Sequence, residues 1–176
     1  MADFDLDRHI RKVPDFPKPG ILFYDVTSVL MNPDVFRWCV DELTRPFQSG
    51  GIDAIAAIDA RGFIFGAPVA LKLGLPLILV RKKGKLPGHS YERTFDLEYG
   101  TDTIQIHSAD LETQRRIFLV DDLIATGGTL KAAASIIEEA GSTVVEIGAV
   151  IGLPFLAYET LLKAYRVRTL IDYHGE

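Results

Sequence analysis

The segment IFLVDDLIATGGT, residues 117–129, brings two kinds of chemistry together in one short stretch. Its apolar start is typical of a buried parallel strand, and this strand is predicted to stop at Asp121 and Asp122. A Gly-Gly turn follows, and an alanine-rich helical stretch starts at Leu130. Carboxylates accept hydrogen bonds from hydroxyl groups, while glycine N–H groups at a helix N-terminus bind anions. The pattern predicts a ligand that carries both hydroxyls and a phosphate, and ribose 5-phosphate fits.

A simpler interpretation of this segment is an ordinary strand, turn and capped helix whose aspartates are solvated. The combination of paired carboxylates and a Gly-Gly turn favours a binding site. The segment is not a nucleotide P-loop, because no Lys-Ser or Lys-Thr follows the glycines. It is not the dinucleotide fingerprint, since G-x-G-x-x-G is absent. Residues 120–129, VDDLIATGGT, resemble the phosphoribosyl-pyrophosphate signature of the type I phosphoribosyltransferases, and the ATGGT ending resembles their adenine branch.

The elements that hold this segment are predicted from the alternation of apolar strands with helical stretches. Strands are expected at 54–58, 77–80, 116–120, 144–151 and 167–171. Helices are expected at 4–12, 33–47, 65–73 and 130–140, and the prolines of residues 14–20 predict a turn. This order predicts an α/β protein with a central, mainly parallel, twisted sheet flanked by helices, and a single domain over residues 1–176.

A long polar stretch at residues 81–99 interrupts the alternation and contains Gly84, Pro87 and Gly88. Loops of that length in a compact domain are usually functional lids or disordered. The sequence therefore predicts a loop without regular secondary structure. Residues 82–95 are expected to be mobile in the free protein and to close over a bound ligand.

Two further segments follow predicted strands, at the sheet edge where ligands of open α/β proteins bind. Residues 59–61 (DAR) follow the strand at 54–58, and residues 81–85 (RKKGK) follow the strand at 77–80. Taken alone, the first is most simply a turn and the second a solvated run of charges. Beside a ribose-phosphate turn, both favour the neutralisation of a pyrophosphate group.

Four segments resemble the adenine phosphoribosyltransferase family and follow that family's order between residues 10 and 173. They are the hood PDFPKPGILFYDVTSVL, the pyrophosphate loop DARGFIFGAPVA, the basic loop RKKGKLPG and the end of the mobile catalytic loop, DLEYGTDTIQIH. The resemblance implies the type I phosphoribosyltransferase fold, with an N-terminal arm and hood over residues 1–35 and a flexible catalytic loop at 81–99. It also implies purine salvage, in which 5-phosphoribosyl-1-pyrophosphate and adenine give AMP and pyrophosphate.

The resemblance implies how the sugar phosphate is held. Asp121 and Asp122 bind the ribose hydroxyls. The 5-phosphate lies against Ala125, Thr126, Gly127, Gly128 and Thr129. The pyrophosphate contacts Ala60 and Arg61, and Lys85 closes on it. Arg81 lies near the neighbouring subunit's site, which implies a homodimer.

The purine is expected under the hood, near Leu22, Phe23 and Tyr24. There an aromatic face can stack on the base, while backbone N–H and C=O groups read adenine N1 and its 6-amino group. Tyr24 stands where many relatives have Arg, and backbone readout of the base would survive that change.

The catalytic residues implied by the resemblance are Glu98, Arg61 and Lys85, with Tyr99 packed beside Glu98. Breaking the bond between C1 and pyrophosphate leaves a cationic sugar and an anionic leaving group, so electrostatic preorganisation is expected to dominate. Mg²⁺ is expected as the cofactor, carried by substrate oxygens and water rather than by direct protein ligands. The family often has a non-proline cis peptide in its pyrophosphate loop, expected here within residues 59–61.

The composition limits the other classes of function. The net charge of −5 argues against non-specific nucleic-acid binding, and no apolar stretch is long enough to span a membrane. Cys39 is the only cysteine, and the N-terminal segment is charged, so a cytoplasmic location is expected. Cys39 is expected to be a buried hydrophobe, and the histidines lack metal-ligand spacing.

Two alternatives stay open at this point. A 6-oxopurine phosphoribosyltransferase is the nearer one, but such relatives lack the RGFIFG and LEYGT segments found here. A regulator that senses 5-phosphoribosyl-1-pyrophosphate without catalysis is the more distant one. It would be expected to have a nucleic-acid-binding domain or a basic face, whereas this chain is acidic and keeps the Glu98 loop.

Overall fold

A computed structural model describes residues 4–96, 100–113 and 115–175. Within these ranges the strands are β1 (Arg11–Pro14), β2 (Leu22–Asp25), β3 (Ala54–Ile58), β4 (Leu77–Lys82), β5 (Ser90–Asp96), β6 (Thr101–His107), β7 (Arg116–Ile124), β8 (Thr143–Gly152) and β9 (Val167–Asp172). The helices are α1 (Pro33–Thr44), α2 (Gly62–Leu73), α3 (Ser108–Leu111), α4 (Gly128–Glu139) and α5 (Tyr158–Leu161). Short 3₁₀ turns cover Leu6–His9, Val26–Met31, Arg45–Phe47 and Pro154–Leu156.

The central sheet of the described residues has seven strands in the order β5-β6-β4-β3-β7-β8-β9. Strands β4, β3, β7, β8 and β9 are parallel, whereas β5 and β6 add an antiparallel edge. The apolar strand β3 is buried along its whole length, as expected of a central parallel strand covered on both faces. The prediction of a mainly parallel sheet flanked by helices is therefore confirmed.

The two faces of the sheet carry separate apolar clusters, because successive strand residues point to opposite faces. Along β7, Ile117 and Leu119 pack into the cluster that α4 covers. Phe118 and Val120 pack into the other cluster, which contains residues of α1, α2 and the N-terminal hairpin. That hairpin pairs β1 with β2 in a two-stranded sheet separate from the central one.

The prediction of a loop without secondary structure at 81–99 is wrong for its second half. Residues Ser90–Asp96 form β5, which pairs with β6 along its full length. On β5, Tyr91 and Phe95 pack against the core, while Arg93 and Thr94 are exposed. Backbone pairing at a sheet edge tolerates such polar side chains, so the composition did not reveal the strand. The mobility of 82–95 stays a prediction.

The predicted helix at 4–12 is also wrong, because the chain forms one 3₁₀ turn, Leu6–His9, and then enters β1. The other predicted elements are present, with ends that differ by a few residues. The largest of these differences concerns β7, which continues four residues past its predicted end at Val120, to Ile124. In the part of the chain that the structure describes, no helix is long and apolar enough to cross a membrane.

Candidate active site

A cavity of about 480 Å³ opens at the carboxyl ends of β3, β4 and β7, the edge of the sheet where α/β proteins bind ligands. Its lining residues are Ile58, Asp59, Ala60, Arg61, Val80, Lys82, Asp102, Ile104, Asp121, Asp122, Leu123, Ala125 and Thr129. A smaller cavity of about 100 Å³ adjoins it and follows the turn between β7 and α4. The two cavities share lining residues, Asp121 among them, so together they form one site.

The two aspartates lie inside β7 rather than after it, and their side chains therefore leave the strand on opposite sides. The Asp121 Oδ1 accepts a hydrogen bond from the Asp122 N–H at 2.8 Å. The Asp122 Oδ2 accepts one from the Arg61 Nε at 2.6 Å, and this carboxylate is almost fully buried. One acid thus binds the backbone, while the other forms a charged pair with the pyrophosphate loop.

The Asp121 carboxylate is packed against the first turn of α2. A Cβ placed on Gly62 would lie 3.0 Å from Asp121 Oδ1 and 3.1 Å from the Val120 carbonyl oxygen, so glycine permits this close approach. Burial first, and the neighbouring charge of Asp122 second, raise the pKa of Asp121 well above its ordinary value. Full ionisation of the pair is therefore unfavourable in the free protein, and positive charge that develops on a bound sugar would stabilise both carboxylates.

The turn after β7 forms the wall of the smaller cavity, and all five residues predicted to hold the 5-phosphate line it: Ala125, Thr126, Gly127, Gly128 and Thr129. Gly127 has a φ of +81°, in the left-handed region, and is the N-cap of α4. A Cβ there would lie 3.1 Å from Leu162 Cδ1 and 3.3 Å from Tyr158 Cβ. The N-terminus of α4 thus lies at the cavity wall, and a helix N-terminus suits an anion.

The pyrophosphate loop at residues 59–61 borders the larger cavity. The Asp59–Ala60 peptide bond is cis, which confirms the sequence-based prediction for this loop. The Arg81 Nε donates to the Asp59 Oδ2 at 2.8 Å, and its guanidinium lies over the Phe63 ring at 5.7 Å. Arg81 therefore stabilises the loop through Asp59 and does not line the cavity itself.

Lys85 is exposed and does not line the cavity, so the structure does not bring it to the site. Glu98 and Tyr99 lie outside the described residues. Lys82 and Asp102 form an ion pair on the cavity wall, with 3.2 Å between Nζ and Oδ2, and neither was predicted as a site residue. The run of basic residues at 81–85 could have indicated Lys82 as a site residue. Asp102 reaches the site only because β6 pairs with β4, which the local sequence does not indicate.

The purine-side residues Leu22, Phe23 and Tyr24 lie on β2, and none of these described residues lines the cavity. Leu22 packs in the same apolar cluster as Leu123, which does line it. The Tyr24 ring is stacked on Tyr173 with 3.8 Å between ring centroids. That face of Tyr24 is therefore occupied by protein.

No group of three or more His, Cys, Asp or Glu side chains among the described residues is arranged to hold a metal ion. Mg²⁺ takes about six oxygen ligands in near-octahedral geometry and retains water readily. The cavity aspartates offer oxygen donors of the right kind, so the site fits Mg²⁺ that arrives with most of its ligands on substrate and water. Substrate-carried Mg²⁺ stays a prediction.

Comparison with known proteins agrees with this geometry. Residues 32–174 match the family model of the phosphoribosyl transferase domain. An adenine phosphoribosyltransferase of Treponema denticola is 54% identical over 176 residues, which is 100% of this chain and 93% of that protein.

Solved structures give the same result. The adenine phosphoribosyltransferase of Thermoanaerobacter pseudethanolicus has 43% identity and a TM-score of 0.89, with 96% of this chain and 98% of that chain covered. The Saccharomyces cerevisiae enzyme, solved with an imino-altritol bisphosphate and adenine, has 36% identity and a TM-score of 0.88, with 94% and 96% covered. The chain belongs to the adenine phosphoribosyltransferase family.

Proposed function

We propose that this protein transfers the 5-phosphoribosyl group of 5-phosphoribosyl-1-pyrophosphate to adenine, with AMP and pyrophosphate as products, in purine salvage. The observation that carries the proposal is one cavity bordered by the ribose carboxylates, the glycine turn of α4 and the pyrophosphate loop. These are the groups that a sugar with a 5-phosphate and a 1-pyrophosphate requires. The family's named activity supports the same substrates.

In this reaction the bond between ribose C1 and the pyrophosphate oxygen breaks, and purine N9 forms a bond to C1. The sugar becomes cationic in the transition state, and the buried carboxylates of Asp121 and Asp122 stabilise that charge more than they stabilise neutral ribose. Arg61 pairs with Asp122 and also lines the cavity, where its guanidinium neutralises the departing pyrophosphate. Mg²⁺ that arrives with the substrate would supply further neutralisation of that leaving group.

The antiparallel edge of the sheet supports a role for the following loop in catalysis. The carbonyl oxygen of Asp96, the last residue of β5, lies 3.6 Å from the position of a Cβ on Gly128, beside the phosphate turn. Glu98 follows two residues later in the sequence. We propose that Glu98 acts on the purine proton, that Tyr99 packs beside it, and that Lys85 reaches the pyrophosphate when this region closes.

The exposed face of α2 supports a homodimer. Ile64 and Leu71 are 38% and 85% exposed, and Ala67 lies between them on the same side of the helix. Such a stripe on a soluble protein favours a protein partner, and Phe63 connects it to Arg81 and the pyrophosphate loop. We propose that a second copy of the chain covers this face and that the dimer is cytoplasmic. Sedimentation velocity measures the state, and a monomer at micromolar concentrations would rule out the dimer.

A pyrophosphate-release assay tests the proposed function. The protein is supplied with 5-phosphoribosyl-1-pyrophosphate and Mg²⁺, and adenine, hypoxanthine, guanine and xanthine are offered separately. Rapid release with adenine alone is expected. Preference for an oxidised purine would instead indicate a 6-oxopurine enzyme, and absence of release with every base would indicate a binding protein.

A further inference from the structure

An aromatic stack joins the hood hairpin to the C-terminal end of the chain. The rings of Tyr24, on β2, and Tyr173, after β9, lie 3.8 Å apart between centroids and are inclined by 16°. The Tyr24 hydroxyl also donates to the Gly175 carbonyl oxygen at 3.1 Å. Tyr24 is only 5% exposed, and the C-terminal segment contributes to this burial together with the surrounding apolar cluster.

Tyr173 also contacts the other strand of the hairpin and the turn before it. Its hydroxyl donates to the Asp7 Oδ1 at 2.6 Å, and burial together with the Asp7 carboxylate raises the pKa of Tyr173, which keeps this donor protonated. Asp7 in turn pairs with Lys12 on β1, whose ammonium lies 5.3 Å from the centroid of the Tyr173 ring. One C-terminal residue therefore holds both strands.

Tyr173 is connected to the active site through the sheet. Its N–H donates to the Gly152 carbonyl oxygen at 3.0 Å. Gly152 lies opposite Ile124 in the pairing of β8 with β7, and the N–H of the next residue, Leu153, donates to the Ile124 carbonyl oxygen at 2.9 Å. Ile124 stands between two residues that line the cavities, Leu123 and Ala125.

The hairpin depends on this connection because its strands are separate from the central sheet. An isolated two-stranded hairpin is marginally stable in water, so packing against the rest of the protein decides where it lies. Strand alternation places Phe23 on the opposite face from Tyr24, where it meets Phe16 edge to face at 5.1 Å. Phe23 thus has a ring face that Tyr173 does not cover.

We propose that Tyr24 and Tyr173 are positioning residues for adenine: their stack sets the distance between the base-binding edge of β2 and the ribose-phosphate site. Tyr24 then acts through the position of its strand, because its stacked ring face is occupied by Tyr173. This inference rests on the proposed function, since it assigns the hood to the base of that same reaction.

Kinetics of Tyr173→Leu test the inference. Loss of the ring releases the hairpin, and the KM for adenine is expected to rise about five- to tenfold, as for loss of an aromatic pair. The KM for 5-phosphoribosyl-1-pyrophosphate is expected to change less than about twofold, because the turn of α4 stays in place. Tyr24→Leu should give the same pattern, the double variant should add little, and Tyr173→Phe should restore most of the adenine KM.

Phe47→Leu is the matched control. Phe47 and Phe118 form an aromatic pair, with centroids 4.7 Å apart, in the same apolar cluster but away from the hood. This variant should lower the melting temperature and leave the ratio of the two KM values unchanged. If Tyr173→Leu merely behaves like Phe47→Leu, or raises both KM values equally, the inference is wrong. Absence of adenine turnover by the wild type would instead contradict the proposed function.

Hydrogen exchange of the wild type gives a test that does not depend on the stability of a variant. Saturating adenine should slow exchange in residues 11–25 and in residues 169–175 together, because the stack couples the two segments. Protection of the hairpin alone would overturn the inference.

Discussion

The proposed ribose-phosphate half of the site and the proposed hood half are built in different ways. The first is one contiguous segment, residues 121–129, held by two neighbouring strands and the first turn of α4. The second is assembled from Asp7, Tyr24 and Tyr173, which are far apart in the sequence. A site half that lies in the centre of a sheet is positioned by backbone pairing. A half that lies on a separate hairpin is positioned by a few side chains.

This difference predicts two kinds of defect. Substitutions in the ribose-phosphate half should remove binding or transition-state interactions while the surrounding strands stay in place. Substitutions of Asp7, Tyr24 or Tyr173 should leave the reacting groups in place and change the position of the bound adenine. The following changes test the contrast, beginning with the largest expected effect.

Asp122→Asn should cause the greatest loss of activity. The change keeps the shape but removes the charge that pairs with Arg61 and that we propose binds ribose, an interaction of about 1.5–3 kcal/mol. The kcat/KM for 5-phosphoribosyl-1-pyrophosphate should therefore fall about 10- to 100-fold, with the adenine KM little changed. Asp53→Asn is the matched control, because Asp53 accepts from the Arg116 N–H at the other end of β7. Unchanged kcat/KM in the Asp122 variant would remove this residue from the site.

Gly127→Ala should have the next largest effect. The added Cβ meets Leu162 and Tyr158, and the backbone has a φ of +81°. We expect a loss of roughly 1–2 kcal/mol in unfolding free energy and about a tenfold rise in the KM for 5-phosphoribosyl-1-pyrophosphate, because the turn must move. Both quantities are measured by denaturant unfolding and steady-state kinetics.

Gly141→Ala separates backbone strain from movement of the turn. Gly141 has the same φ of +81°, but a Cβ there meets nothing within 4 Å. This variant should lose a similar amount of stability and keep its KM. Equal kinetic effects of the two glycine changes would contradict a specific role for the phosphate turn.

The contiguous half was also the half that could be predicted from the sequence. Paired carboxylates, a Gly-Gly turn and the start of a helix are adjacent in the chain, so their types alone indicated a sugar-phosphate site. We predicted that β7 ends before Asp121 because aspartates usually follow the end of a strand. In the structure the strand continues, because Arg61 and the Asp122 N–H donate hydrogen bonds to the carboxylate oxygens of Asp122 and Asp121. Those partners lie in the three-dimensional structure and not in the local pattern.

The contacts of the hood and of the antiparallel strands β5 and β6 were harder to predict for the same reason. Asp102 and Lys82 meet only because β6 pairs with β4, and the two strands are separated in the sequence by β5. The stack of Tyr24 on Tyr173 joins residues from the two ends of the chain, and no periodicity indicates such a pair. Local patterns predict local structure, whereas contacts between distant segments depend on the completed fold.

Asp121→Asn tests whether the buried negative charge of Asp121 lowers the stability of the folded protein. Well below the ordinary pKa of 3.8, the Asp121 carboxyl keeps its proton in both the folded and the unfolded state. As the pH rises, the unfolded state ionises first, because the pKa of Asp121 is raised in the folded protein, so stability falls. The Asn variant should therefore melt higher than wild type at neutral pH, with a difference that shrinks toward acid pH, although its activity is lower. A lower melting temperature that does not depend on pH would contradict this account.

Asp7→Asn should have the smallest effect and the opposite pH dependence. Lys12 first, and the Tyr173 hydroxyl second, lower the pKa of Asp7, so its stabilising contribution is present above the ordinary value of 3.8 and is lost as the pH falls through the lowered pKa. The Asp7 side chain is 43% exposed, and solvent screening keeps the change in melting temperature small. The adenine KM should rise less than in Tyr173→Leu, because the ring stack remains. Asp5→Asn, which breaks an exposed pair with Arg8 in the same arm, is the control and should leave that KM unchanged. If Asp7→Asn raised the KM for 5-phosphoribosyl-1-pyrophosphate as strongly as the adenine KM, the hood would not be independent of the ribose-phosphate half, and the contrast between the two would fail.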